Sequence, residues 1–366
     1  MIKLCLRLAA MSAAAFVFVG VLSAFVSSHA LAAADDVQSD DVQITEWDVP
    51  YPGRPRDPFA AGEDEIWFVG QANGYLGRLT PSSGAFFRRD LGEGAGPHNL
   101  IVDDAGIVWF AGNRNAYIGR YDPKTDEIER IEMPDPAASD PHTLVFDADK
   151  SHIWFTAQRG NFVGRLRLKD RKVDLVEVPE RGARPYGIKI GPDGTPWIVL
   201  FGTNKLASVD PATMSLTEYE IPHDDARPRR LEVTGDGRVW YSDYTRGKLG
   251  LYDPKTKNFA EWELPGGEDS LPYGTALDGE GRVWVAETGL QPNRLIAFDT
   301  NAEKIVSTTP VPSGGGTVRH MMFDPETDRI ACPDSGITRV PCTGLKSRAV
   351  SLDRLQNSIS HSTRRV

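Results

Sequence analysis

Seven short phrases recur along this chain roughly every 43 residues and carry most of its side chains able to do chemistry. They are Asp57-Pro58-Phe59, Pro97-His98-Asn99, Pro141-His142-Thr143, Pro185-Tyr186-Gly187, Pro228-Arg229-Arg230, Pro272-Tyr273-Gly274 and Val318-Arg319-His320. A histidine of ordinary basicity can take a proton at neutral pH, and neighbouring arginines can hold a carboxylate or an enolate. Of the histidines beyond the N-terminal segment, His98, His142 and His320 stand in these phrases, while His152, His223 and His361 fall in turns or in the C-terminal segment. If the fold brings one phase of every repeat to one place, His98, Asn99, His142, Tyr186, Arg229, Arg230, Tyr273 and His320 share a site.

The elements that must do this positioning are set by a second periodicity. Trp67, Trp109, Trp154, Trp197, Trp240 and Trp284 are 42, 45, 43, 43 and 44 residues apart. Each ends an apolar run, usually after a tight turn such as Asp236-Gly237 or Glu280-Gly281, which is a hairpin signal. About ten residues on comes a second short strand, as in Leu76-Gly77-Arg78-Leu79 and Val163-Gly164-Arg165-Leu166. A third strand ends in proline, as in Val176-Glu177-Val178-Pro179. With the phrase that precedes each tryptophan this makes four short strands per repeat, the pattern of a propeller blade. Inner strands are expected near Pro58, His98, His142, Tyr186, Arg229, Tyr273 and His320. The last repeat has Ala331 in the tryptophan position and lacks a recognisable fourth strand, whereas Ile44 to Pro50 reads as an outer strand with no blade of its own. The expected fold is therefore all-β, a seven-bladed propeller of four-stranded blades over residues 43–342. Its ring is closed by the N-terminal strand pairing with strands near 320–340, which removes exposed edges. The tryptophans are expected to be core residues packing blade against blade.

Composition bounds the rest. Lys3 and Arg7 precede an apolar stretch from Leu8 to Val26, and Ala30-Leu31-Ala32 offers a small-x-small cleavage site. Residues 1–34 thus read as a signal peptide, with a periplasmic or secreted product and no membrane anchor. Without Lys3 and Arg7 the chain holds 39 basic against 51 acidic residues, about −12, which disfavours nucleic acid or anionic lipid as a partner. Cys332 and Cys342 flank one hairpin of the closing repeat and could pair in an oxidising compartment. Residues 343–366, rich in serine and basic side chains, read as a solvated tail of a monomer.

The repeat phrase Pro-His-x-Ile, then Gly-x-Val-Trp-Phe, then Ile-Gly-Arg, then a strand ending in Leu-Pro, resembles the streptogramin lyase (virginiamycin B lyase) family of seven-bladed propellers. The resemblance covers all seven repeats. It implies a lyase that opens a cyclic depsipeptide by elimination, with a histidine base and a magnesium ion stabilising the enolate. Carried onto this chain, Asp140-Pro141-His142-Thr143-Leu144 makes His142 the base and Asp140 a metal ligand, and Pro97-His98 one blade earlier makes His98 a substrate contact. The chain departs from the family where a second metal-binding Glu would follow the Trp-Phe of that blade, because Thr156-Ala157-Gln158 stands there.

Two other readings fit the same residues. A gluconolactonase-like lactone hydrolase would hold calcium with carboxylates and amides around the channel, for which Asp57, Asn99, Asp243 and Glu287 are the candidates. A non-catalytic propeller would use Arg184, Arg229, Arg230 and Arg319 as an anion-binding rim, with Tyr186 and Tyr273 as aromatic faces. The partner is a small molecule in the first two readings and a small ligand or a partner protein in the third. No nucleotide, haem or phosphate motif is present in the sequence.

Overall fold

Each tryptophan phrase folds as the second strand of a four-stranded antiparallel sheet, and what surrounds the tryptophan explains the repeat motif. The computed structural model describes residues 42–332 and, beyond them, the backbone of the strand Arg339–Leu345. Six sheets are each built from four consecutive strands, for example Pro141–Phe146, His152–Ala157, Phe162–Arg167 and Val173–Glu177. Their innermost strands are Pro55–Ala60, Leu100–Val102, Pro141–Phe146, Pro185–Ile190, Pro228–Val233 and Pro272–Leu277. The protein is thus an all-β propeller with four-stranded antiparallel blades.

A further sheet runs in the order Val42–Asp48, Arg339–Leu345, Arg329–Ala331, Met322–Asp324. Thr45 lies opposite Cys342 and Trp47 opposite Val340. The N-terminal strand therefore meets a strand that runs to Leu345, into the stretch expected to be tail. Met322–Asp324 lies beside both Pro55–Ala60 and Pro272–Leu277. The remainder of the tail, the expected signal peptide and the side chain of Cys342, and with it the expected pairing with Cys332, lie outside the described residues. No helix among the described residues is long and apolar enough to cross a membrane.

The six repeat tryptophans are all core residues, none more than 6% exposed. Several reach the next blade: Trp67 meets Tyr121 edge-on at 6.2 Å, Trp197 lies 5.9 Å from Tyr252, and Trp240 lies 5.4 Å from Phe298. Such pairs add to the area each ring removes from water and lock the angle between blades.

The glycine of the Gly-Arg phrase has a steric cause. In four blades the residue after the tryptophan is aromatic and lies directly across the ladder from that glycine: Phe68 opposite Gly77, Phe110 opposite Gly119, Phe155 opposite Gly164 and Tyr241 opposite Gly250. A Cβ on any of these glycines would sit 2.1–2.3 Å from the ring, so only glycine leaves room. In the other two blades the opposing residues are Ile198 and Val285, and the glycine is replaced by Ala207 and Ile296. Ring and glycine thus vary together between blades, because one side chain fills the space that the other vacates.

This pairing is testable by a double-mutant cycle on urea unfolding. Gly164→Ala should cost about 1–3 kcal/mol by overpacking. Adding Phe155→Val should recover part of that loss, so that the two changes are not additive. Additive losses would place the cause of the glycine elsewhere.

Candidate functional site

Strand register fixes which residues meet in the channel, and it moves the first and last phrases. Pro141 pairs with Ala157, Pro185 with Leu200, Pro228 with Asp243 and Pro272 with Glu287, and in the first blade the equivalent pair is Pro55 with Gly70. The inner strand therefore starts at Pro55, not near Pro58. Arg56 occupies the phase of His98, His142, Tyr186, Arg229 and Tyr273, and Asp57 comes one residue later. Two prolines three residues apart made the sequence ambiguous here. In the last repeat Ala331 lies opposite Met322 as Trp284 lies opposite Ala276. That puts Arg319 in the phase of Tyr273, so His320 does not share a phase with His98 and His142.

A second feature brings two successive residues of each phrase inward. The register of the inner strands slips between the start of the phrase and the residue two or three further on, a β-bulge that breaks the usual alternation of faces. Arg56 and Asp57 are both buried, as are His142 and Thr143. The backbone entering these strands is often left-handed just before proline, with φ of 55° at Arg54, 54° at Arg184 and 65° at Asp140.

The first residues after the opening proline, or after Val318 in the last repeat, line a cavity of about 210 Å³ that includes Arg56, His98, His142, Tyr186, Arg229, Tyr273 and Arg319. The His98 and His142 rings lie 3.6 Å apart, and His142 lies 4.0 Å from the Tyr186 ring. The Tyr186 and Tyr273 hydroxyls hydrogen-bond to each other across the blade that carries Arg229. The Arg229 guanidinium carbon lies 3.7 Å from the Tyr273 ring centre, 4.1 Å from Tyr244 and 4.4 Å from Phe201, an aromatic cage around a cation.

The second residues build a floor beneath. Asp57 is fully buried. It accepts hydrogen bonds from Arg56 Nε at 3.2 Å, Asn99 Nδ2 at 3.2 Å and Arg230 Nη2 at 3.4 Å. Arg230 also donates to Thr143 Oγ1 at 3.0 Å and to the Arg319 carbonyl at 3.2 Å, and Asn99 Oδ1 accepts from the Leu144 amide at 2.9 Å. Asn99 and Arg230, expected among the substrate contacts, are structural groups of this floor. His320, also expected there, lines a separate small void with Thr143, Lys189, Arg230 and Glu232. His98, His142, Tyr186, Arg229 and Tyr273 do come together in the cavity.

The excess of guanidinium over carboxylate sets the protonation states. Burial, then Arg230, Arg56 and Arg229, hold His142 well below the ordinary histidine range. Burial, Arg56 and the His142 ring do the same to His98. Burial and Arg230 push His320 down to about 3. Burial works against ionisation of Asp57, yet Arg56 and Arg230 hold it below the usual carboxylate range. Tyr273 is opposed by burial but surrounded by Arg229, Arg56, Arg230 and Arg319, which bring it down to about 8. Burial and its neighbour Tyr273 push Tyr186 up to about 12.

Asp140, the expected metal ligand, sits at the cavity edge in a donor-rich setting. Asn113 donates to its Oδ1, and Arg159 Nε lies 3.7 Å from Oδ2. The Gln158 amide, oriented to satisfy both its neighbours, donates to Asp140 Oδ2 and accepts from Arg184, each at 3.3 Å. A hard divalent cation needs several oxygen ligands, and here one carboxylate faces amide and guanidinium donors, so this donor set does not fit magnesium or calcium. Among the described residues no three His, Cys, Asp or Glu side chains converge as a metal site. Asp243 accepts from the Arg227 amide at 2.9 Å and pairs with Arg246, while Glu287 accepts from the Gly266 amide at 2.7 Å and pairs with Arg294. Each of these two carboxylates ties the connection leading into its own blade to that blade, and they form no ligand set with Asp57 and Asn99.

The sequence reading missed Arg56 and the cage residues Phe201 and Tyr244. A signal for the cage existed. The fourth residue after each tryptophan is Gln71, Asn113, Gln158, Phe201, Tyr244 or Thr288, and the first four of these line the cavity.

Fold and site together define a β-propeller whose channel is floored by a buried ion cluster and opens into a cationic, aromatic cavity. Residues 37–295 match the virginiamycin B lyase family, and the chain belongs to that family. Among solved structures, a streptogramin B lyase is 20% identical, covering 83% of this chain and 98% of its own, with a TM-score of 0.73. A selenomethionine-substituted virginiamycin B lyase from Staphylococcus aureus is 20% identical over 83% of this chain and 99% of its own, with a TM-score of 0.73. A catalytically inactive form of the S. aureus enzyme with quinupristin is 21% identical at the same coverage and TM-score. At these identities the likeness shows the fold. No curated protein matches the chain.

The buried histidines predict acid sensitivity. Unfolded histidine binds a proton near pH 6.5, and native His98 and His142 do not until well below it, so the unfolded state holds more protons as pH falls. Stability should be full above about pH 6.5 and decline beneath it, by up to about 1.4 kcal/mol per pH unit for each of these two residues. Urea midpoints at pH 7 and pH 5 measure this, and His142→Gln should flatten the decline. A midpoint that does not move between those values would mean that the histidines are protonated in the folded protein.

Proposed function

We propose that the protein is a carbon-oxygen lyase that opens a small carboxylate-bearing ester or lactone by elimination, using guanidinium groups where a metal-dependent enzyme would use a metal ion. The observation that carries this reading is the convergence of Arg56, Arg229 and Arg319 on one cavity. Guanidinium forks suit a carboxylate and the enolate that forms when its neighbouring carbon loses a proton. His142 lines the cavity as a neutral imidazole and is the base that the family resemblance assigns. Its basicity is low because burial and three arginines disfavour a further positive charge. An anion seated on those arginines offsets part of that effect and strengthens the base when it is needed. At about 210 Å³ the cavity is smaller than the roughly 300–1,000 Å³ usual for drug-sized ligands. This favours a compact substrate, or a single arm of a larger ring, over a whole cyclic depsipeptide.

The anion-binding reading without catalysis rests on the same arginines and is separated from the first by turnover. Small carboxylate esters, lactones and a cyclic depsipeptide would be incubated with the protein in the presence of a chelator, and products weighed by mass spectrometry. Elimination gives an opened product with no added water, and His142→Gln should lower its rate at least tenfold while leaving the fold intact. Arg229→Met should raise KM more than it lowers kcat. Saturable carboxylate binding with no product would leave a binding propeller, and a product heavier by one water would point to hydrolysis.

We further propose export to the periplasm or medium, on the strength of the N-terminal segment. The sheet joining Val42–Asp48 to Arg339–Leu345 is proposed as the seventh blade, in which the two ends of the chain close the ring. Exported protein should begin after Ala32 or Ala34, and deleting residues through Asp48 should lower its melting temperature. An unprocessed N-terminus, or a truncated protein as stable as the exported one, would remove the respective proposal.

A further inference from the structure

Tyr186 and Tyr273 belong to blades separated by one, yet their hydroxyls are hydrogen-bonded to each other. The ring centres lie 6.2 Å apart. Among the described residues, the charged groups packed against this pair are positive. Arg229 lies 3.7 Å from the Tyr273 ring centre and 5.5 Å from that of Tyr186, Arg319 lies 5.5 Å from Tyr273, and Arg230 lies 5.1 Å from Tyr186. Arg56 completes the set from the first blade, the neutral His142 ring lies against Tyr186, and the Tyr244 ring is edge-on to Tyr273 at 5.9 Å. Asp57 pairs with Arg56 and Arg230 and is held in the floor.

Two adjoining phenols in such a field are best satisfied by sharing one proton fewer. The remaining hydrogen bridges the two oxygens, and the negative charge faces the guanidiniums. We propose that the pair works as one phenol and one phenolate, with Tyr186 donating to Tyr273 and Tyr273 serving as a second proton acceptor of the cavity. The same arginines that make an imidazolium at His142 unfavourable make a phenolate at Tyr273 favourable, and the two residues line one cavity.

In the elimination proposed above, on which this catalytic role rests, one proton leaves the carbon beside the carboxyl group, and Tyr273 Oη takes it where His142, with its lowered basicity, does not. The C–H electrons form the new double bond, the C–O bond breaks, and the ester oxygen leaves with its electron pair as a carboxylate. Tyr273 ends as a phenol and returns its proton to solvent. Neither water nor an electron carrier is consumed. The depression of Tyr273 to about 8 against about 12 for Tyr186 agrees with a first ionisation belonging to the pair and a second that is far less favourable.

The experiment is an ultraviolet difference titration of the full mature chain, which reads tyrosinate directly and needs no substrate. Wild type should gain one tyrosinate with a midpoint near pH 8, ahead of its other tyrosines. Tyr273→Phe should abolish that early step, and Tyr186→Phe should retain it but move its midpoint up by removing the donor. No early tyrosinate in wild type, or an unchanged early step in Tyr273→Phe, would overturn the ionisation. With a turned-over ester in hand, the rate should rise with pH through the same midpoint and lose that rise in Tyr273→Phe but not in His142→Gln. A rise untouched by Tyr273→Phe would overturn the catalytic role while leaving the lyase reading in place. An early tyrosinate in a protein that eliminates nothing would overturn the lyase reading and the catalytic role, and support the phenolate pair alone.

Discussion

The buried carboxylate of Asp57 is the point on which the centre of this propeller depends. It belongs to the first blade, yet it is held by Asn99 from the second and by Arg230 from the fifth, 173 residues away, as well as by its neighbour Arg56. Arg230 reaches on to Thr143 of the third blade and to the backbone at Arg319. Ion pairs this deep contribute little net stability, because taking both charges out of water costs about as much as their attraction returns. Their effect lies in specificity. Any blade arrangement that separated these groups would leave an unpaired charge in a medium that cannot solvate it, so the cluster fixes how the blades face the axis.

The chemistry of the cavity follows from an imbalance left over by that cluster. Arg56 and Arg230 satisfy Asp57, but Arg229 stands in the same small space and is held by aromatic faces rather than by an acid. A field of this sign acts on every titratable neighbour in the same direction. It keeps His98 and His142 neutral, draws a proton away from the tyrosine pair, and makes a ligand carboxylate the natural counter-charge. It also explains why Asp140, flanked by Arg159 and Arg184, is a poor seat for a divalent cation. Although the overall chain is acidic, the one place where the repeats converge is locally cationic.

The repeat divides labour between two kinds of position. Tryptophans, and the aromatic residues facing glycines, occupy the interfaces of the sheets and answer only to packing. The two residues after the proline that opens an inner strand do not share that constraint, because the bulge lifts both out of the ordinary alternation and turns them toward the axis. One blade can therefore present His-Thr, another Arg-Arg and another Tyr-Gly without disturbing the sheet behind.

The sequence by itself determined the blades. A 43-residue beat of tryptophan, turn and Gly-Arg is local information, since each blade's hairpins fold from contiguous residues, and the core tryptophans and the convergence of His98, His142, Tyr186, Arg229 and Tyr273 were all legible from it. Tertiary structure decided what those residues became. Pro55 and Pro58 are equally good strand starts on paper, and only the pairing of Pro55 with Gly70 showed that Arg56 lines the cavity and Asp57 lies in the floor. The same holds for Asn99 and Arg230, whose partners lie in other blades, and for His320, which register removes from the cavity. The tyrosine pair and the cage around Arg229 join residues up to 87 positions apart. Periodicity states which residues share a phase. Which of them touch, and how each shifts the other's charge, depends on distances across the ring that no single repeat contains.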